Sequence, residues 1–223
     1  MFDMFAVASV PSGLSNIASI IAIGVAVVFH EVSHGYVANW LGDSTAKYAG
    51  RLSLNPIRHV DMWGTIIIPL ALIITQAGFV FGWAKPVPVN YYNLRYGKWG
   101  PVLVSLAGPA ANFIILLLCG IMVRIVPEGT ALPYLFITIG LINAFLMLFN
   151  LLPIPPLDGS KVLFVFLESR PDIIMMLERY GMYILLGVLI FAPGLISQLI
   201  FVPALTITSI VTGVSLGELI NLL

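Results

Sequence analysis

Two histidines and a glutamate, His30, Glu31 and His34, lie inside an apolar run from Ile17 to Trp40. They spell H-E-x-x-H. Residues i and i+4 are neighbours on a helix, so this spacing sets both imidazoles on one face. Two neutral imidazoles can bind zinc, and a carboxylate beside them can take a proton from a metal-bound water. Ordinary helix histidines, satisfied by their neighbours, are the alternative. The setting weighs against it, because ionisable groups near hydrocarbon are costly and are held there mostly for function. The pattern points to metal-assisted hydrolysis within a membrane.

A catalytic zinc takes three protein ligands and keeps one position open. The chain has three histidines, so the third ligand is His59 or a carboxylate. The best carboxylate is Asp158, in Asn150-Leu-Leu-Pro153-Ile-Pro155-Pro156-Leu157-Asp158-Gly159. Its prolines prevent a regular helix, so Asp158 falls on an extended segment at a helix end. Taken alone it reads more simply as a cap for a helix beginning near Ser160, or as a turn with Gly159. His59 shares a polar loop with Asn55, Pro56, Arg58 and Asp61. It reads most simply as an interfacial loop histidine, with a bridge to the site or a gate as the other option. Arg51 and Arg58 read as charged anchors at the membrane face.

These residues need elements to position them, and composition says which. Of 223 residues, 60% are hydrophobic and 9% charged. Soluble domains run at about 45–50% apolar and about 25% charged. No soluble core of this size could hide so much apolar surface, so this is an integral membrane protein in a lipid bilayer. Zero net charge and the lack of a basic tract argue against nucleic acid. The single cysteine, Cys119, has no internal disulfide partner and reads as a small packing residue. No basic stretch of a cleavable signal precedes the first apolar span, so that span is expected to stay.

Apolar runs fall at about 16–39, 62–82, 101–126, 131–152, 180–201 and 203–223, each near the ~20 residues a membrane helix needs. The sequence predicts an all-α polytopic helical bundle in one domain, 1–223. Its core spans about 17–168 and is followed by a C-terminal helical pair at about 180–223. Short strand-like pieces are expected near 49–54 and 83–90, where apolar and polar residues alternate. The 62–82 run carries Gly64, Pro69, Thr75, Gln76 and Gly78, which disturb a helix. If it crossed fully, Lys85, Arg95 and Lys98 would face away from Lys47, Arg51 and Arg58. If it dips in and returns, only Arg124 of the ten Lys and Arg lies apart, as the bias of cytoplasmic loops toward cations favours. The segment is therefore read as re-entrant or broken, leaving about five full spans.

H-E-x-x-H in an early membrane helix, with Asn150, Pro153, Pro156, Asp158 and Gly159 as N-x-x-P-x-x-P-x-D-G at the end of a later one, resembles the site-2 protease family of intramembrane zinc metalloproteases. Gly108-Pro109-Ala110-Ala111-Asn112, the run from Gly50 to Pro56 and the run from Gly82 to Asn90 are similar to compact prokaryotic members without a PDZ domain. The resemblance covers about 17–168; the last two apolar spans match nothing in it. It implies that His30, His34 and Asp158 hold one zinc per chain and that Glu31 activates the water. It places Asn150 near the active site, as an oxyanion donor, a substrate-strand holder or a helix cap. Asn112 could support the ligands or simply pack a helix, the more so because Gly108 and Ala111 suit close helix contact. The implied substrate is a membrane-spanning or membrane-anchored protein, and the implied location is a prokaryotic plasma membrane with the site toward the cytoplasm. Ligands on two helix ends must share a depth, which again requires 62–82 not to cross. A membrane metal transporter or scaffold, or a non-proteolytic relative, is the competing reading. Few polar groups lie outside the proposed site to line an ion path, and Glu31 has no purpose in a scaffold.

Overall fold

Twenty-residue apolar stretches in lipid must satisfy their own backbone, and helices do so within one segment. The computed structural model describes residues 12–76, 82–127 and 129–221, and it bears out an all-α chain. Helix α1 runs Ser12–Trp40, and a single turn, α2, follows at Thr45–Tyr48. A π-helix at Met62–Ile67 continues into α3, Ile68–Ile74. The long helices α4, Trp99–Ile125, and α5, Leu132–Asn150, form an antiparallel pair, and α6 spans Gly159–Phe166. Then come α7, Pro171–Phe191, α8, Pro193–Ile196, α9, Val202–Thr212, and α10, Leu216–Asn221. A π-turn at Ser197–Phe201 joins α8 to α9 into one continuous helical span.

Among the described residues, five helices are long and apolar enough to cross a bilayer: 17–40, 99–125, 132–150, 171–191 and 193–212. The last two begin earlier than the apolar runs at 180–201 and 203–223 suggest. Pro171 opens α7 from the first helical position, where its missing N–H costs nothing. Pro193 forces the break after Phe191 and opens the final span, which stops at Gly213 in the left-handed region (φ +80°).

Helices α1, α4 and α5 pack together as the central bundle, with α9 against α4 and α5. Leu116 and Val123 from α4, Ile137, Leu141 and Ala144 from α5, and Ala204 and Leu205 from α9 form its core. Cys119 is buried beside Ala22 and Ile139, a packing residue between helices. Outward-facing residues such as Ile20, Ile114, Tyr183 and Ile210 are more than half exposed and supply the apolar face a bilayer covers.

The segment after Asp61 starts and ends at the same place. Met62–Ile74 is 13 residues, at most about 20 Å of helix against ~30 Å of hydrocarbon. By residue 83 the chain is again at its entry point, because the Trp83 N–H donates to the Gly64 carbonyl (3.0 Å) and Thr65 Oγ1 donates to the Trp83 carbonyl (2.9 Å). Gly78, one of the residues read as helix-disturbing, lies outside the described residues. The cations then gather on one face. Arg51 Nη2 donates to the Lys85 carbonyl (2.6 Å), the Arg95 N–H donates to the Leu41 carbonyl (2.8 Å), and Lys98 pairs with Glu168 (2.6 Å). Arg124, at the far end of α4, donates to the carbonyls of Gly120 and Val211.

The strand-like pieces near 49–54 and 83–90 do not form strands; among the described residues there is no sheet. Residues 49 and 50 close a turn, and 51–55 and 82–90 run as irregular extended chain. A ladder along 83–90 is blocked at Pro86 and Pro88, which have no N–H to donate. The re-entrant path predicts that cysteines introduced at Lys47 and Lys98 react with an impermeant thiol reagent from the same membrane side; labelling from opposite sides would refute it.

Candidate metal centre

Helix α1 brings His30 and His34 one turn apart, about 15 Å and about 9 Å before its end at 1.5 Å per residue. Their rings meet edge to face, centroids 4.6 Å apart. Asp158 reaches them from the loop between α5 and α6: its Oδ2 lies 3.0 Å from His30 Nε2 and 3.4 Å from His34 Nε2. One donor atom from each of the three residues falls within 4.8 Å of the other two, the one such group found among the described residues. Asp158 stands at the N-cap position of α6, yet its side chain makes no capping bond. It is turned inward to the histidines.

Hydrogen bonds fix which nitrogen faces the cluster. His34 Nδ1 lies 2.7 Å from the Val104 carbonyl, which can only accept, so Nδ1 carries the proton. His30 Nδ1 lies 2.6 Å from Asn112 Oδ1. The amide of Asn112 is oriented by its Nδ2, which donates to the Ala26 carbonyl (3.1 Å) and to Asn143 Oδ1 (2.7 Å). Its Oδ1 is therefore the acceptor, and His30 Nδ1 also carries a proton. In the neutral imidazoles both Nε2 lone pairs then point at a buried oxygen of Asp158. Three Lewis bases with no proton between them repel one another unless a cation sits among them.

The space for that cation is set by Gly108 on α4. A Cβ there would lie 2.6 Å from both Nε2 atoms and 2.5 Å from His30 Cε1. Only a residue without a side chain leaves the cradle open. Two imidazoles and a carboxylate in this arrangement suit zinc. Asn112 is fully buried and bonds directly to His30, so it does more than pack a helix.

Glu31 lines a cavity of about 370 Å³ together with His30, Asn150 and Pro156 and with Met182 and Leu185 of α7. Its Oε2 accepts the Val87 N–H (2.8 Å) from the extended strap, residues 82–90, that crosses the cavity mouth. Asn150 lies on the cavity wall, with its Nδ2 bonded to its own helix at the Leu146 carbonyl (3.0 Å). His59 is apart from the cluster: its Nε2 donates to the Ser53 carbonyl (2.8 Å), and its own carbonyl accepts the Lys85 N–H (2.9 Å). It braces the strap.

Sequence reasoning missed the strap's fastenings. Arg51 is buried rather than an open surface anchor, and it clasps the Lys85 carbonyl. Asp43, fully buried, accepts the N–H of Asn90 (2.7 Å) and the Asn93 amide (3.1 Å) and bonds Thr45 Oγ1 (2.5 Å). A backbone N–H such as that of Val87 leaves no mark on a sequence. Asp43-Ser-Thr45 did carry the signal of an Asx turn.

The chain is similar in sequence to known proteins. Residues 123–192 match the profile of peptidase family M50. YwhC of Bacillus subtilis (strain 168) is 40% identical over 154 residues, 65% of this chain and 66% of the relative. MJ0611 of Methanocaldococcus jannaschii is 35% identical over 151 residues, 66% of this chain and 69% of the relative. Rip2 of Mycolicibacterium smegmatis is 29% identical over 174 residues, 77% of this chain and 65% of the relative. All three bear the name "Putative zinc metalloprotease". The matched region spans about two thirds of the length of these curated relatives. No solved structure matches the chain.

Burial alone would raise the Asp43 carboxyl, but hydrogen bonds from Thr45, Asn90 and Asn93 outweigh it and hold the group below its usual range. A depressed folded-state pKa stabilises above the unfolded value of about 3.9 and fades as pH falls through the lower folded value. Asp43→Ala is expected to cost about 1–3 kcal/mol, the penalty for leaving buried donors unpaired. It is also expected to speed amide exchange at Val87 and Asn90. Unchanged exchange in that variant at neutral pH would show that the strap is held by other contacts.

Proposed function

The chain belongs to peptidase family M50, the site-2 protease family, and from that membership we propose that it is an intramembrane zinc metalloprotease. The observation that carries the reading is the convergence of His30 Nε2, His34 Nε2 and Asp158 Oδ2, beside a cavity that His30 and Glu31 both line. These three side chains hold one zinc per chain. When bound there, zinc supplies the Lewis acidity that makes a water nucleophilic near neutral pH and polarises a peptide carbonyl.

Glu31 takes the proton of the attacking water and returns it to the leaving amine. The Val87 N–H on Oε2 holds the carboxylate in one orientation and leaves Oε1 for that exchange. Asn150 has a second amide hydrogen beyond the one given to Leu146. We assign that hydrogen to the oxyanion that develops on the scissile carbonyl. His59 and Asn112 act at a distance, one through the strap and the other through His30.

The substrate is a membrane-spanning or membrane-anchored protein, unwound locally, because helical carbonyls are already engaged by i→i−4 bonds. The catalytic core is 17–168, within a single domain. The face that gathers Lys47, Arg51, Arg58, Lys85, Arg95 and Lys98 is the cytoplasmic one by the bias of cations toward that side. The site therefore opens toward the cytoplasm, in a prokaryotic plasma membrane.

The decisive experiment pairs metal content with cleavage of a model transmembrane peptide by the purified protein. Glu31→Gln is expected to retain about one zinc per chain while cleavage falls by a factor of about 10²–10⁴, the range for loss of a general base. Cleavage surviving in that variant would remove the reading. Gly108→Ala makes the opposite split: its methyl fills the cradle, so zinc content is expected to fall with activity. Full zinc in Gly108→Ala would mean the ion sits elsewhere.

A further inference from the structure

Helix α5 is apolar along most of its length, yet it buries Asn143 completely. An amide at this depth has no water to bond and must use protein partners. Asn143 Nδ2 donates to the Ile139 carbonyl one turn earlier (2.8 Å). A carbonyl only accepts, so this bond fixes the amide orientation and aims Oδ1 at α4. There it accepts from Asn112 Nδ2 (2.7 Å). Asn112, equally buried, then presents Oδ1 to His30 Nδ1 (2.6 Å).

The result is a directional relay of hydrogen bonds across three helices: Ile139 carbonyl, Asn143, Asn112, His30. Every member is shielded from solvent, so reversing any one amide strands two acceptors or two donors face to face. The Ala26 carbonyl holds the second hydrogen of Asn112 and leaves that amide one remaining donor, which only an acceptor at position 143 can take.

We propose that Asn143 is a positioning residue of the metal centre, holding His30 as the Nδ1–H tautomer so that Nε2 offers a lone pair to the cation. It touches neither metal nor substrate and acts through Asn112. Outer partners of a ligating histidine of this kind commonly change metal affinity 10–100-fold. The proposal rests on His30 being a ligand, and its test separates the two.

The test uses the full chain in lipid bilayers, with ¹⁵N-histidine spectra of the zinc-free protein and zinc affinity by competition with a chelator. Wild type is expected to show His30 wholly as the Nδ1–H tautomer. Asn143→Leu, similar in shape but without an acceptor, is expected to give a mixture of both tautomers and about tenfold weaker zinc binding. Asn143→Asp, neutral at this depth, can donate its O–H to Ile139 and still accept from Asn112, so it is expected to restore both readouts. An unmixed His30 signal with zinc affinity within twofold of wild type in Asn143→Leu would overturn the proposal. If Asn143→Leu does not fold, Asn143→Asp decides alone: a mixed tautomer there, in a folded protein, would also overturn it. Wild type that binds no zinc while showing the expected tautomer would instead refute the metal reading and leave the relay standing.

Discussion

Everything at this centre follows from one constraint: polar groups below the membrane surface have only the protein to bond with. Two imidazoles, a carboxylate and two carboxamides are brought together in the α1–α4–α5 bundle, and nearly all of their donors and acceptors are matched. The exception is the point where His30 Nε2, His34 Nε2 and Asp158 Oδ2 meet. A carboxylate oxygen buried against neutral imidazoles that already donate elsewhere is costly unless a cation joins them. The unmatched point is thus a consequence of all the matched ones. Asn112 and Val104 use up the Nδ1 protons, and Gly108 keeps the space open.

The same constraint explains the strap. An extended segment near hydrocarbon cannot leave its amides bare. Residues 83, 85, 87 and 90 donate in turn to Gly64, His59, Glu31 and Asp43, while Pro86 and Pro88 remove the donors that would have faced away. Prolines that make this stretch a poor strand also spare it two N–H groups that would need partners. One of those four bonds ends on Glu31, so the fastening of the strap and the orientation of the carboxylate are a single feature.

What could be read from the residues alone divides along this line. Side-chain chemistry at fixed spacing was legible: H-E-x-x-H and the proline-rich approach to Asp158. Bonds made by the main chain were not, because Val87, Lys85 and Trp83 contribute N–H groups that any residue but proline could supply. Arg51 looked like a surface anchor because membrane-face arginines usually are; only the fold reveals a carbonyl waiting for it. Asn143 did carry a signal, an uncompensated amide in an apolar helix, but its partner lies on a helix that sequence spacing cannot bring near. Helices open at Pro171 and Pro193, earlier than hydropathy alone suggests, because a proline sets the first helical position.

Helix α7, the first C-terminal span, lies within the stretch that matches the family profile and is tied to the centre by backbone contact. A Cβ on Gly181 of α7 would lie 2.4 Å from the Pro155 carbonyl oxygen, and one on Gly159 would lie 2.2 Å from that of Leu151. The loop carrying Asp158 is therefore packed against its own origin on one side and against α7 on the other, too closely for any side chain. Asp158 comes from an irregular segment, the least rigid kind of support for a ligand. Close packing by α7 offsets that weakness, and Met182 and Leu185 from the same helix complete the cavity wall. The carboxylate can hold its place beside two helix-borne imidazoles because a helix outside the central bundle presses its loop against them.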